Sequence, residues 1–305
     1  VSERAYRIGT RGSRLALWQA EAVARRLGAP CEIVVVETSG DRFTDVALQG
    51  RPEKGFFTKE IEDRLLEGVI DMAVHSLKDL PVEDPPGLCI GALLERAAVG
   101  DLLLVHPEWH DPGEVIPVRA GCPVGATSLR RQALLRAYAP QAEAAFLRGN
   151  VPTRIRKCIE GQYGAILLAR AGVERLSAET APLIPYELDP EVWLPAPGQG
   201  AIAVQVRSGD EKTVSLLSAI DSTETRHAVR IERGLLAKFE GGCHTAFGAW
   251  CRREGDLFRV SVGLERPGKG WGAAALAGTF EQCLAQGPDT LRDFVLPPYR
   301  RKDRP

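Results

Sequence analysis

Three short segments place arginine where a turn opens a helix. They are Thr10-Arg11-Gly12-Ser13-Arg14, Thr127-Ser128-Leu129-Arg130-Arg131 and Leu147-Arg148-Gly149-Asn150-Val151-Pro152-Thr153-Arg154. Between residues 125 and 157 seven basic side chains (Arg130, Arg131, Arg136, Arg148, Arg154, Arg156, Lys157) face one acid, Glu143. The whole chain is near neutral, with 39 Lys and Arg against 40 Asp and Glu, so this positive charge is local. A guanidinium grips carboxylate or phosphate with two parallel hydrogen bonds. A helix N-terminus adds unpaired N–H groups and a favourable dipole for the same anion. Several such sites in one chain imply a ligand with several anionic groups.

A second candidate is Asp71-Met72-Ala73-Val74-His75-Ser76-Leu77-Lys78-Asp79-Leu80-Pro81. An apolar run of strand length ends there, and His75, Ser76, Lys78 and Asp79 emerge at its carboxyl end, where open α/β sheets bind ligands. Asp79 can act as general acid or base, or stabilise a cation. Lys78 can pair with an anion or keep Asp79 ionised. A salt-bridged turn accounts for the same residues without chemistry. Glu240-Gly241-Gly242-Cys243-His244-Thr245 sets a thiol among glycines. Neighbours on an extended chain point in opposite directions, so His244 is poorly placed as a base for Cys243. A thiol used for covalent attachment needs no such base.

Other chemistries lack support. His106 and His110 have i, i+4 spacing, but Pro107 and Pro112 argue against a helix that would align them on a metal. No phosphate-loop pattern and no dinucleotide fingerprint occurs. Only Tyr138 and Phe146 accompany the basic stretch, and its arginines sit at separate turns, so it does not read as a nucleic-acid surface.

The elements that must position these residues follow from hydrophobic pattern. Strands are expected at 6–9, 31–37, 71–75, 88–94, 102–105, 124–127, 144–147, 165–169 and 201–206. Helices are expected at 13–27, 59–67, 128–138, after Asn150, and twice within 211–239. Ser128 is a plausible N-cap. The polar stretch 42–59 reads either as a loop over a cleft or as a surface connection. After Gly242 the pattern changes to strands at 247–251, 257–264 and 272–280, joined by turns at Glu254-Gly255-Asp256 and Pro267-Gly268. This is α/β architecture with mostly parallel strands, followed by a small antiparallel α+β domain. A chain of 305 residues has room for two or three domains. No run of eighteen apolar residues suggests a membrane span. Seven cysteines without a C-x-x-C pair, and no apolar signal region, fit a reduced cytoplasmic setting.

Seven segments, in order, carry a family resemblance: GTRGSRLALWQA, KGFFTKEIE, DMAVHSLKDLP, GATSLRRQALL, LRGNVPTRIRK, LPAPGQGAIAV and EGGCHTAFGA. Together they resemble the porphobilinogen deaminase (hydroxymethylbilane synthase) family. The resemblance implies two lobes like those of periplasmic binding proteins with five-stranded sheets, 1–97 with 195–216 and 98–194, and a third domain, 217–305. It implies a transferase of porphyrin and haem biosynthesis. Such an enzyme joins four porphobilinogen units head to tail, releases ammonia at each step, and frees the linear tetrapyrrole by hydrolysis. A dipyrromethane cofactor primes the chain through a thioether, which the resemblance assigns to Cys243. It assigns catalysis to Asp79, cofactor binding also to Ser13, Lys78, Ser128, Arg130 and Arg131, and substrate binding to Arg11, Arg148, Arg154, Arg175 and Gln199. No metal, nucleic acid or membrane is implied, and a cytoplasmic monomer is expected. Ala246, Arg170 and Glu53 depart from the family pattern, and the last domain ends early. The rival reading is a non-catalytic two-lobed binding protein for a polyanionic small molecule.

Overall fold

The computed structural model describes residues 4–39, 58–239 and 246–299. Its chain divides into two compact units, Val1–Ala97 with Gly200–Arg226, and Ala98–Gln199 with His227–Pro305.

The first unit is built on five strands: β1 (Tyr6–Thr10), β2 (Cys31–Val35), β3 (Met72–Ser76), β4 (Leu88–Leu93) and β10 (Ile202–Arg207). Their order is β2-β1-β3-β10-β4. β1 pairs parallel with β2 and β3, whereas β10 runs antiparallel between β3 and β4. Four of the five strands therefore point the same way. Successive side chains alternate between faces. Met72 and Val74 join Ile8 and the helix α1 (Arg14–Leu27) in one core through Ala20 and Val23. Ala73 instead joins Ile61 and Leu65 of α2 (Lys59–Leu66) on the other face. Helix α6 (Glu211–Leu217) adds Leu217 to the α1 side.

The second unit repeats this topology. Its strands are β5 (Asp101–Val105), β6 (Pro123–Gly125), β7 (Glu143–Ala145), β8 (Ala165–Ala169) and β9 (Ile184–Glu187), in the order β7-β6-β8-β5-β9. Again the fourth position holds the one reversed strand, here β5, antiparallel to β8 and β9. In each sheet that reversed strand begins just after the chain changes units, β5 after Ala98 and β10 after Gly200. Helix α3 (Leu129–Tyr138) packs on one face with Val124 and Leu167. Helix α4 (Val151–Ile159) packs on the other with Leu104 and Ile166. The short α5 (Arg170–Arg175) leaves β8 directly.

Strands β11 (Phe247–Glu254), β12 (Leu257–Arg266) and β13 (Gly270–Gly278) form the expected antiparallel sheet. Gly255 and Gly268 both have positive φ, which their hairpin turns require. One core joins Val260 and Val262 to α7 (Thr223–Phe239) through Ile231 and Leu235, and to α8 (Phe280–Ala285) through Cys283. Trp271 and Ala273 pack instead with Ala133 and Leu134 of α3. Glu232, fully buried on α7, accepts from the N–H groups of Cys251 and Gly198, both at 2.8 Å.

Strand β9 and the end of β13 differ from the pattern read in sequence, and α5 and α8 are not among the expected helices. β9 is hidden by Pro185, a residue tolerated because β9 is an edge strand. The last strand stops at Gly278, because Thr279 caps α8 with a full capping box to Gln282. The 42–57 part of the polar stretch, including Glu53, and the Cys243 segment lie outside the described residues.

Candidate functional site

In the first unit, Arg11 and Ser13 sit in the β1–α1 turn. Ser13 has extended backbone, and its Oγ accepts from Ala16 N–H as the N-cap of α1. Lys78 and Asp79 lie in the 3₁₀ turn Leu77–Asp79 that follows β3, and both are exposed. β1 and β3 are parallel neighbours, with Gly9 opposite Ala73. The Arg11 turn and the Lys78-Asp79 turn therefore leave the sheet side by side at carboxyl ends. Buried Gln19 of α1 ties the two together by donating to Ser76 Oγ at 2.9 Å. The Leu77 N–H donates to the Ala201 carbonyl, which fixes the start of the turn against the chain entering β10.

His75 is not part of that exposed turn. It is buried within β3. Burial and the charge of Arg11 push its pKa down to about 4, while neighbouring Gln205 works the other way. Gln205 donates to Glu62 at 3.2 Å, and burial pushes the Glu62 carboxyl up. This polar line joins β3 and β10 to α2.

In the second unit, β6 and β7 are parallel neighbours, and the turns that follow them carry the other arginines. Ser128 is exposed at the N-cap of α3, with extended backbone and no side-chain capping bond. Thr127 Oγ1 donates to the Leu147 carbonyl and accepts from its N–H, joining this turn to the next. Asn150 caps α4 by accepting from Thr153 N–H at 3.0 Å, with Pro152 in the first turn. Arg154 Nε donates to the Gly149 carbonyl at 2.7 Å, and the Arg148 guanidinium lies over the Phe146 ring, 5.5 Å from its centre. Arg175 is half-buried at the far end of α5. Arg170, at the start of α5, pairs with Glu174 and Glu187.

Arg130, Arg131 and Gln199 converge on a residue that sequence reading missed. Asp101, the first residue of β5, is fully buried. Its carboxylate accepts from Arg130 Nη2 (2.9 Å), Arg131 Nε (3.1 Å) and Nη2 (2.7 Å), Trp193 Nε1 (3.2 Å) and Gln199 Nε2 (2.9 Å). Burial alone would raise its pKa, but the two guanidiniums outweigh burial and hold it well below the usual carboxylate range. The available signal was an acid flush with the run Leu102-Leu103-Leu104-Val105, because a carboxylate in a buried strand needs a partner.

Among the described residues, no group of His, Cys, Asp and Glu is arranged to hold a metal ion. No described helix is long and apolar enough to cross a membrane. His106 and His110 flank a 3₁₀ turn at Pro107–Trp109, and His110 pairs with Tyr186. Of the six described cysteines, Cys122 and Cys158 have thiols pushed up to about 12 by burial.

Residues 6–215 match the family model described as porphobilinogen deaminase, dipyromethane cofactor binding domain. The chain is 45% identical over 262 residues to porphobilinogen deaminase of Syntrophomonas wolfei, covering 84% of each chain. It is 44% identical over 268 residues to that of Carboxydothermus hydrogenoformans, covering 86% of this chain and 84% of the relative. With the relative from Nitratidesulfovibrio vulgaris it shares 44% over 255 residues, 82% of this chain and 78% of the relative. Among solved structures, the periplasmic VFT2 domain of Bordetella pertussis BvgS aligns with a TM-score of 0.42 and 16% identity, over 71% of this chain and 86% of that one. That last likeness is too low to carry an argument. The family model and the relatives, each extending over most of the sequence, establish that the chain belongs to the porphobilinogen deaminase family.

Proposed function

We infer that this chain is a hydroxymethylbilane synthase, a transferase that condenses four porphobilinogen units head to tail with release of ammonia and then frees the linear tetrapyrrole. The observation that carries this reading is the pairing of the Arg11-Ser13 turn with the Lys78-Asp79 turn at adjacent strand ends, within the span that the family model matches. The division into 1–97 with 195–216, 98–194 and 217–305 assigns one sheet to each domain.

The residues present fit a polyanionic dipyrromethane. Buried Arg130 keeps a guanidinium Nε without a partner among the described residues, beside the exposed N-cap Ser128. Ser13, Lys78, Ser128 and Arg130 would hold the group directly, Arg131 would act through the Asp101 carboxylate it shares with Arg130, and Cys243 would anchor the group through sulfur. When bound, it supplies the free pyrrole carbon that starts the oligomer. Arg11, Arg148, Arg154 and Arg175 would hold the acetate and propionate groups of incoming porphobilinogen, whereas Gln199, which the resemblance also assigns to substrate, is buried and spends its amide N–H groups on Asp101 and the Val99 carbonyl. The acetate and propionate groups add negative charge with every unit, which a guanidinium-lined site offsets.

Asp79 takes the catalytic role. Loss of the amine leaves porphobilinogen with an electron-poor methylene carbon, and a carboxylate beside it stabilises that charge. The same carboxylate then accepts the proton released when carbon–carbon bond formation restores the aromatic ring. Lys78, its neighbour in the turn, orients a substrate carboxylate. The reaction takes place on a small molecule in the cytoplasm, by a monomer, without nucleic acid or membrane. A test is to supply purified protein with porphobilinogen and measure ammonia and linear tetrapyrrole. The synthase reading requires four ammonia per tetrapyrrole. Tight binding of porphobilinogen with no ammonia released would favour the binding-protein alternative.

A further inference from the structure

We propose that Asp101 is a positioning residue for anion binding, holding Arg130 and Arg131 as one singly charged unit that receives a single ligand carboxylate. The proposal rests on the synthase reading above.

Arg130 and Arg131 are 4% and 7% exposed, and Asp101 is 0% exposed. Two guanidiniums and one carboxylate leave one surplus positive charge in a place shielded from water. An uncompensated charge there is costly, so the unit is complemented by one further anion. The two arginines are not equivalent. Arg131 grips Asp101 with two parallel bonds and gives Nη1 to the Leu167 carbonyl at 2.9 Å. Three of its five N–H donors are spent on protein. Arg130 gives one bond to Asp101 and one to the Leu194 carbonyl at 2.6 Å, and its buried Nε has no partner among the described residues. Arg130 spends two of its five N–H donors on protein and is thus the member with more left for ligand, while Arg131 and Asp101 form its mount.

The mount has a definite place in the fold. Asp101 pairs with Ala169 across the β5–β8 ladder, at the end of the sheet where β6, β7 and β8 finish. Trp193 and Gln199 bring the segment leading out of the unit onto the same carboxylate, and Gln199 also donates to the Val99 carbonyl at 2.7 Å. One side chain therefore sets the first turn of α3 against two of the three passages of the chain at this unit's boundary. A surface ion pair would have no such reach.

The test uses chain produced in cells that make no porphobilinogen. Porphobilinogen is then added, and covalent loading is followed by intact mass over time and concentration. In Asp101→Asn the half-saturating porphobilinogen concentration for loading should rise at least tenfold, with the limiting rate within about threefold of wild type. A purely structural role would instead reduce the fraction of chain able to load and leave half-saturation unchanged. The double variant Asp101→Asn with Arg131→Gln restores the single surplus charge without the mount. It should regain thermal stability relative to Asp101→Asn yet keep the raised half-saturation, so the question is answered even where the single variant folds poorly. Half-saturation equal to wild type in either variant overturns the positioning role. A wild-type chain that never loads overturns the synthase reading itself.

Discussion

At the residue scale the proposed chemistry rests on Asp79, an exposed carboxylate in a three-residue turn braced by Leu77 and Gln19. Because it is exposed, replacing it removes a charge without opening the core. Asp79→Asn should leave the melting temperature within a degree or two. Turnover per loaded chain should fall about 10²–10³-fold, the usual loss for one electrostatic partner of a transition state. Turnover within a few-fold of wild type would remove Asp79 from the mechanism. The turn itself was readable in sequence, because an apolar run breaking abruptly into His-Ser-Leu-Lys-Asp marks the end of a strand. What that pattern hides is which polar residue stays inside. His75 remains within β3, and Ser76 is the first to be held from outside. Asp101 was hidden for a related reason. Its partners Arg130 and Arg131 lie 29 and 30 residues away, a pairing made only by folding.

At the scale of elements, helix starts set the basic side chains. Asn150 caps α4 and fixes where Arg154 leaves the helix to meet the Gly149 carbonyl. Asn150→Ala should cost about 1 kcal/mol of stability, the common loss for a cap. It should also raise the half-saturating porphobilinogen concentration, because the Arg148–Arg154 turn loosens. Chemical denaturation and steady-state kinetics read the two effects separately. A variant as stable as wild type with unchanged saturation would show that the cap does not hold this turn. Most elements were legible because hydrophobic period and caps agree, as in α1, with Ser13 before it and Gly28 after it. β9 was not, since its Pro185 argues against a strand unless its edge position is known. The shared strand order of the two large sheets was also beyond sequence reading. It depends on β5 and β10 inserting in reverse between strands that are far away in the chain.

At the scale of the molecule, acid should weaken the fold through His75. Its pKa is about 4 in the folded chain, against about 6.5 unfolded. The unfolded chain takes up the proton first, so stability is retained above about 6.5 and falls as pH drops toward 4. The loss amounts to about 3 kcal/mol at 1.36 kcal/mol per pH unit. Glu62, raised by burial, acts in the opposite sense, so comparison with His75→Gln isolates the histidine. That variant should show a flatter fall in stability between pH 6.5 and 4, and an unchanged slope would contradict the assignment. The larger question is whether the chain carries its own primer, because every role given to the arginines assumes an acidic oligopyrrole fixed to the protein. Intact mass of chain purified from a host that makes porphobilinogen answers it most directly. The account predicts a gain equal to two linked pyrrole units in wild type and no gain in Cys243→Ser. Unmodified wild-type chain, or the same gain in Cys243→Ser, would contradict it.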